Sequence, residues 1–206
     1  HGIGLILASR RRLVEGDRAL RSGGWTPEAR LITPSLKGAR VGIVGMGLIG
    51  QAVAVRAEAL RMAVQWWGPR PKDVEWPRAE TLLELARGSD VLVVACKADD
   101  DNRGLIDAEV IAALGSSGLL VNVARGSLVD EDALIEALKT GTLGAAALDV
   151  FEGEPSLNPR FLKLDNVLLQ PHHASGTFET RKAMGKLVRD NLEAHFAGEA
   201  LPTPVL

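Results

Sequence analysis

Short apolar runs alternate with amphipathic stretches along most of the chain. Residues 41–44, 62–67, 91–96, 119–123, 145–150 and 167–170 are largely apolar, and most stop at a Gly, Pro or charged residue. They read as strands. The run 91–96 is almost wholly apolar, as expected of a parallel strand buried on both faces. Between the runs, residues 51–60, 79–87, 107–114, 130–140 and 176–196 space their apolar positions as helices do. Examples are Leu82, Leu83 and Leu85, and later Met184, Leu187, Val188 and Leu192. Asp130 is placed to cap the helix over 130–140, and Gly141 to stop it. Alternating strands and helices predict an α/β fold with a doubly wound parallel sheet of about six strands and flanking helices. Upstream, Leu5, Ile6, Leu13, Val14 and Leu20 predict one amphipathic helix over 3–21. Ser22-Gly23-Gly24-Trp25-Thr26-Pro27 ends it, and residues 22–39 form a connecting arm.

One junction carries a specific chemical signal. The run Val41-Gly42-Ile43-Val44 passes into Gly45-Met46-Gly47-Leu48-Ile49-Gly50 and then into a helical segment. Gly45 permits a tight turn, Gly47 lets a pyrophosphate approach the backbone, and Gly50 lets helix and strand pack closely. The N–H groups at the helix start, those of Leu48 and Ile49 among them, favour an anion. A glycine turn of this kind can also serve packing alone. With a strand before it and a helix after it, it points to a Rossmann-type unit that binds a dinucleotide.

Composition narrows the remaining possibilities. The chain has 206 residues, 46% hydrophobic and 24% charged, which suits one ample domain. We read 1–206 as a single NAD(P)-binding domain. A net charge of −2 implies no nucleic-acid partner. The lone Cys96 excludes an internal disulfide framework and suits the cytoplasm. No apolar run approaches the roughly 20 residues of a membrane span. The chain opens on His1 within a helical pattern, with no initiator Met, so a fragment lacking an N-terminal portion is expected.

In doubly wound sheets the ligand lies beyond the carboxyl ends of the strands. The segments 45–50, 68–72, 96–103, 124–127, 151–154 and 171–177 are therefore the candidates. After the second strand an acidic residue would bond a ribose 2′-OH, whereas an Arg would accept a 2′-phosphate. Here Trp67-Gly68-Pro69-Arg70 offers no carboxylate, and Asp73 lies beyond two prolines. NADP is therefore preferred over NAD, with NAD possible if Arg70 is only solvated and Asp73 turns back. Arg125 follows a buried strand and can hold a carboxylate, or equally form a structural salt bridge. His172 ends the last strand with carboxylates in reach, as a general acid/base would.

These pieces together resemble the D-2-hydroxyacid dehydrogenase family. The matching stretches are Gly45 to Gly50, Asn122-Val123-Ala124-Arg125-Gly126-Ser127-Leu128-Val129-Asp130, Ala147-Leu148-Asp149-Val150-Phe151-Glu152-Gly153-Glu154-Pro155, and Pro171-His172, in family order. Within the family the Arg70 loop is most similar to NADP-preferring glyoxylate/hydroxypyruvate reductases. The resemblance implies that Arg125 grips the carboxylate and carbonyl of a small 2-keto or 2-hydroxy acid. It implies that Glu154 pairs with His172 and keeps it protonated, and that His172 is the acid/base. Asp149 would lie near the nicotinamide carboxamide, and Gly68, Cys96, Val123, Ala124 and Ala174 would line the cofactor. It also implies a separate flavodoxin-like substrate domain, largely absent here, and the apolar face of residues 3–20 would need a partner, so a homodimer is expected.

Some residues depart from the pattern or fall outside it. Where the family often has Pro-Leu-Thr, this chain has Cys96-Lys97-Ala98-Asp99-Asp100-Asp101. The aspartates are spaced unlike a Ca²⁺ loop, so no metal is expected. Cys96 is read as a buried strand end, His173 as structural, and Trp66 and Trp67 as packing. His1 and His195 carry no site signature. A non-catalytic, corepressor-like nucleotide sensor is the rival reading, and the trio of Arg125, Glu154 and His172 argues against it.

Overall fold

The computed structural model describes residues 1–26, 28 and 30–204. Pro27, expected to follow the first helix, and Val205 and Leu206 of the closing segment lie outside the described residues. Two compact units are present, His1–His172 and His173–Leu206.

The first unit carries a six-stranded, wholly parallel sheet. Its strands are β1 (Arg40–Val44), β2 (Ala63–Trp67), β3 (Val91–Val94), β4 (Leu119–Asn122), β5 (Ala145–Leu148) and β6 (Val167–Leu169). Their order is β2-β1-β3-β4-β5-β6. β1 thus lies between β2 and β3, and the order reverses there. At the outer edge of β2 a single parallel bridge joins Trp66 to Arg78. Trp66 N–H donates to Pro77 O at 3.0 Å and Ala79 N–H donates to Trp66 O at 2.8 Å.

Alternate strand residues point to opposite faces, and two core layers follow from that alternation. Val41, Ile43, Val91, Val93, Leu119, Val121 and Ala147 face one side with Leu5, Ile6, Val53 and Ala54. These last four belong to α1 (Gly2–Arg10) and α3 (Leu48–Ala59). Val44, Leu92, Val94, Leu120 and Leu148 face the other side. There they meet α4 (Leu82–Arg87), α5 (Ala108–Leu114) and α6 (Glu131–Thr140). The expected doubly wound sheet with helices on both faces is what the chain builds.

The expected cap and stop of α6 hold: Asp130 accepts from Ala133 N–H at 3.0 Å, and Gly141 ends the helix at φ 75°. The structure adds a cap at α5, where Asp107 accepts from Val110 N–H at 2.9 Å. Helix α4 starts later than predicted. Thr81 and Glu84 form a capping box, while residues 77–79 are drawn out against Trp66 instead.

The predicted single helix over 3–21 is two helices. Arg12 takes a left-handed backbone conformation, φ 48°, between α1 and α2 (Leu13–Arg21). Tertiary bonds compete with helix continuation at this point. Arg10 Nη2 donates to Ser35 O at 3.2 Å and Arg11 Nε donates to Thr33 Oγ1 at 2.9 Å. Leu5 and Ile6 are buried, whereas α2 buries no residue and leaves Leu13 and Leu20 exposed.

The second unit consists of a turn at 173–176, helix α7 (Phe178–Ala197) and a returning tail. The Thr177 hydroxyl caps α7 by accepting from Thr180 N–H, and Gly198 ends it at φ 70°. Asn191 Nδ2 donates to Thr203 Oγ1 at 2.9 Å and ties the tail to the helix.

Candidate functional site

The strand order sorts the predicted residues into a row along the carboxyl edge of the sheet. Arg70 follows β2, the glycine turn follows β1, and Cys96 follows β3. Ala124 and Arg125 follow β4, Asp149 to Glu154 follow β5, and His172 follows β6. Arg70 and His172 therefore stand beyond opposite edge strands. Ala174 belongs to the second unit, and the row in the first unit is built without it.

At the centre, Gly45 has φ 94°, and a Cβ there would lie 2.5 Å from Cys96 Cα. A Cβ on Gly50 would lie 2.1 Å from Gly45 O. Both positions exclude a side chain because backbone meets backbone. Gly47 differs: a Cβ on it would meet nothing within 4 Å. It is the N-cap of α3 and no side chain caps that helix. Leu48 and Ile49 are exposed beside it. An open space over uncapped helical N–H groups suits a pyrophosphate. Gly68 is buried, and its carbonyl accepts from Arg78 Nη2 at 2.7 Å. Arg70 beyond it is exposed.

Cys96 is partly buried, and burial pushes its thiol up to about 11. It is a neutral wall group at neutral pH, not a nucleophile. The neighbouring aspartates form a turn, Asp100–Asn102, in which Asn102 Oδ1 accepts from Asp99 N–H at 3.0 Å. Trp66 is buried and donates to Trp76 O at 3.0 Å, as a packing residue would.

The loop after β4 is shaped by Asn122, which is 1% exposed. Its Oδ1 accepts from Ala124 N–H at 3.0 Å and its Nδ2 donates to Arg125 O at 2.9 Å. Ala124 is buried, Val123 is half-buried, and Arg125 is exposed. Its place in the matching stretch assigns Asn122 no role. A polar residue closing an apolar strand was the available signal, since buried amides must be hydrogen-bonded.

Asp149 is also 1% exposed, and its Oδ1 lies 3.1 Å from His1 Nε2. The sequence reading saw no site signature in His1. Nothing local could show it, because the two residues are brought together only when α1 packs against β5.

The decisive contact is farther along. His172 Nδ1 lies 2.5 Å from Glu154 Oε2, while Glu154 Oε1 accepts from Phe151 N–H at 2.8 Å. Burial pushes the Glu154 carboxyl up. The bonds to His172 and Phe151, with the charges of His172 and Arg125, outweigh burial and hold it below the usual carboxylate range. The structure thus brings Arg125, Glu154 and His172 together. His172 has φ 49°, a left-handed conformation uncommon outside glycine. That turn aims the ring at Glu154.

Comparison with known proteins shows the family. Residues 3–174 match the family described as D-isomer specific 2-hydroxyacid dehydrogenase, NAD binding domain. The chain belongs to that family. It is 49% identical to glyoxylate/hydroxypyruvate reductase A of Arabidopsis thaliana over 99% of its own length and 66% of the relative's. It is 47% identical to hydroxyphenylpyruvate reductase of Plectranthus scutellarioides, with the same coverage of 99% and 66%. Among solved structures, the NADPH-dependent glyoxylate/hydroxypyruvate reductase of Sinorhizobium meliloti, in complex with NADP and malonate, superimposes with TM-score 0.92. That match has 40% identity and covers 99% of this chain and 65% of the other. The chain therefore spans just under two thirds of the length of these relatives.

Proposed function

We propose that this family member serves in a reductase that converts a small 2-keto acid, of the glyoxylate or hydroxypyruvate class, to the D-2-hydroxy acid. The observation that carries the reading is the 2.5 Å bond between His172 and Glu154, set beside Arg125 at the carboxyl edge of the sheet. A nucleotide sensor needs no such acid/base pair, whereas a keto-acid reductase does.

Gly45, Gly47 and Gly50, with the N–H groups of Leu48 and Ile49, would hold the pyrophosphate of NADPH. Gly68 and Arg70 would take the adenosine ribose and its 2′-phosphate. Cys96, Val123, Ala124 and Asp149 would face the nicotinamide end. The NADP in the Sinorhizobium relative supports the same preference here. When bound, the cofactor supplies the hydride.

The chain's own residues supply the rest. Arg125 holds the substrate carboxylate and polarises the keto oxygen. Glu154 takes Nδ1 of His172, which leaves Nε2 as the proton-bearing atom turned to substrate. His172 then protonates the oxygen as negative charge develops on it. Asn122 fixes the backbone from which Arg125 projects. We place the opposite wall of the substrate pocket in the additional length that the relatives have. Exposed Trp25 (75%) and Ile32 (87%) on the arm support a homodimer, and the lone Cys96 suits the cytoplasm.

Side-by-side titration of the full-length protein with NADPH and NADH, followed by assays on glyoxylate and hydroxypyruvate, tests the reading. Tight NADPH binding with turnover is expected. Binding with no reduction of any small 2-keto acid would favour the sensor instead.

A further inference from the structure

We propose that Glu131 is a positioning residue for the acid/base pair. From the first turn of α6 its carboxylate holds the 151–154 turn where Glu154 can reach His172. The inference rests on the reductase reading of the site.

Two adjacent N–H groups of this turn have different partners. That of Phe151 is taken by Glu154 Oε1 at 2.8 Å, within the turn. That of Glu152 is taken by Glu131 Oε1 at 2.7 Å, across 21 residues. Glu154 therefore braces the turn from within, and Glu131 fastens it to a helix of the core. Two further contacts hold the same residues. The Glu152 carboxylate pairs with Arg103 at 2.7 Å. Gly126 lies so close that a Cβ there would stand 2.0 Å from the Phe151 carbonyl carbon. The turn is thus held by α6, by the Arg125 loop and by the segment after β3.

No neighbouring carboxylate can replace Glu131. Asp130 caps α6, and Asp132 pairs with Arg160. Arg103, Glu131, Glu152 and Asn158 line a cavity of about 570 Å³. The placement is costly. Burial pushes the Glu131 carboxyl up, and the charges of Glu152 and Asp132 add to it, against the bonds from Glu152 N–H and the Asn158 side chain. A carboxylate kept in such surroundings is a candidate for a functional role.

The test uses the full-length protein and three variants, Glu131→Ala, Glu131→Asp and Glu131→Gln. Each is checked for NADPH affinity, for turnover against pH, and for the low-field proton resonance of the His172–Glu154 bond. Glu131→Gln keeps the acceptor and should stay within about threefold of wild type. Glu131→Ala should lose roughly tenfold to a hundredfold in kcat, as expected for a displaced catalytic group. It should keep NADPH affinity, move the alkaline limb of the pH profile to lower pH, and lose the resonance. Glu131→Asp keeps the charge but withdraws the oxygen, and should fall between the two. It decides the matter if Glu131→Ala does not fold. Unchanged pH profile and resonance in the folded Ala or Asp variant would overturn the proposal, as would equal damage from Gln and Ala. A wild-type protein without reductase activity would overturn the parent reading instead. The resonance would still report whether Glu131 places Glu154.

Discussion

The two turns that flank the site are built in opposite ways. The turn from Gly45 to Gly50 is built from backbone: Gly45 and Gly50 exclude side chains because Cys96 Cα and Gly45 O lie against them, while Gly47 faces open space. The turn from Phe151 to Glu154 is placed by residues distant in sequence, namely Glu131, Gly126, Arg103 and His172. In the proposed reading the first would serve a ligand through backbone N–H groups, and small errors in side chains would leave it intact. The second would serve chemistry through side-chain oxygens, and depends on the relative positions of four other segments. Binding should therefore fail with the first turn and turnover with the second.

The largest expected effect lies on the chemical side. In the full-length protein, His172→Gln should reduce kcat by about a hundredfold or more while NADPH titrates normally. His173→Gln should do much less. The reverse ranking, read in steady-state assays, would move the acid out of the first unit.

Alanine at either buried glycine sharpens the contrast. A Cβ at Gly50 would lie 2.1 Å from Gly45 O, and one at Gly126 would lie 2.0 Å from Phe151 C. Each should cost about 1–3 kcal/mol of stability or more, as overpacking does, measurable by denaturant melts. The functional losses should differ. Gly50→Ala should weaken NADPH binding, and Gly126→Ala should lower kcat with binding retained. If both variants lose the same property, the division of labour between the turns is wrong.

Arg70→Ala probes the far end of the row. Loss of a charge-assisted phosphate contact should weaken NADPH by about 1–3 kcal/mol and leave NADH nearly unchanged. Equal losses for both cofactors would remove Arg70 from the phosphate site.

The smallest effect concerns pH and separates the two carboxylates of the second turn. Glu154 is held low when folded, so its contribution to stability is present above the ordinary carboxylate range and lost as pH falls through its folded value. Glu131 is held high, so its protonated form is favoured in the fold, and that contribution is lost as pH rises toward neutrality. Glu131→Gln should therefore be slightly more stable than wild type at neutral pH, by less than about 1 kcal/mol, with the gain vanishing near pH 4. Thermal melts across that range check the sign.

Much of this could be read before any coordinates. Strands and most helices appeared as runs because a buried parallel strand needs an unbroken apolar segment and an amphipathic helix a periodic one. Caps such as Asp130 and Gly141 were visible because capping is local. The helix over 3–21 was misread because its break at Arg12 accompanies bonds from Arg10 and Arg11 to residues more than twenty positions away. The delayed start of α4 has the same kind of origin, since residues 77–79 pair with Trp66.

The sequence by itself determined the fold class, the glycine turn between β1 and α3, and the residue types able to bind a carboxylate and move a proton. Those depend on short spacings, which chain geometry converts directly into structure. Tertiary structure alone decided that Glu154 meets His172 at 2.5 Å, that His1 reaches Asp149, and that Glu131 takes the N–H of Glu152. Each of these contacts joins segments that become neighbours only through strand order and helix packing. A hydrogen bond depends on separations of a few tenths of an ångström, and no spacing along the chain encodes a distance across the sheet.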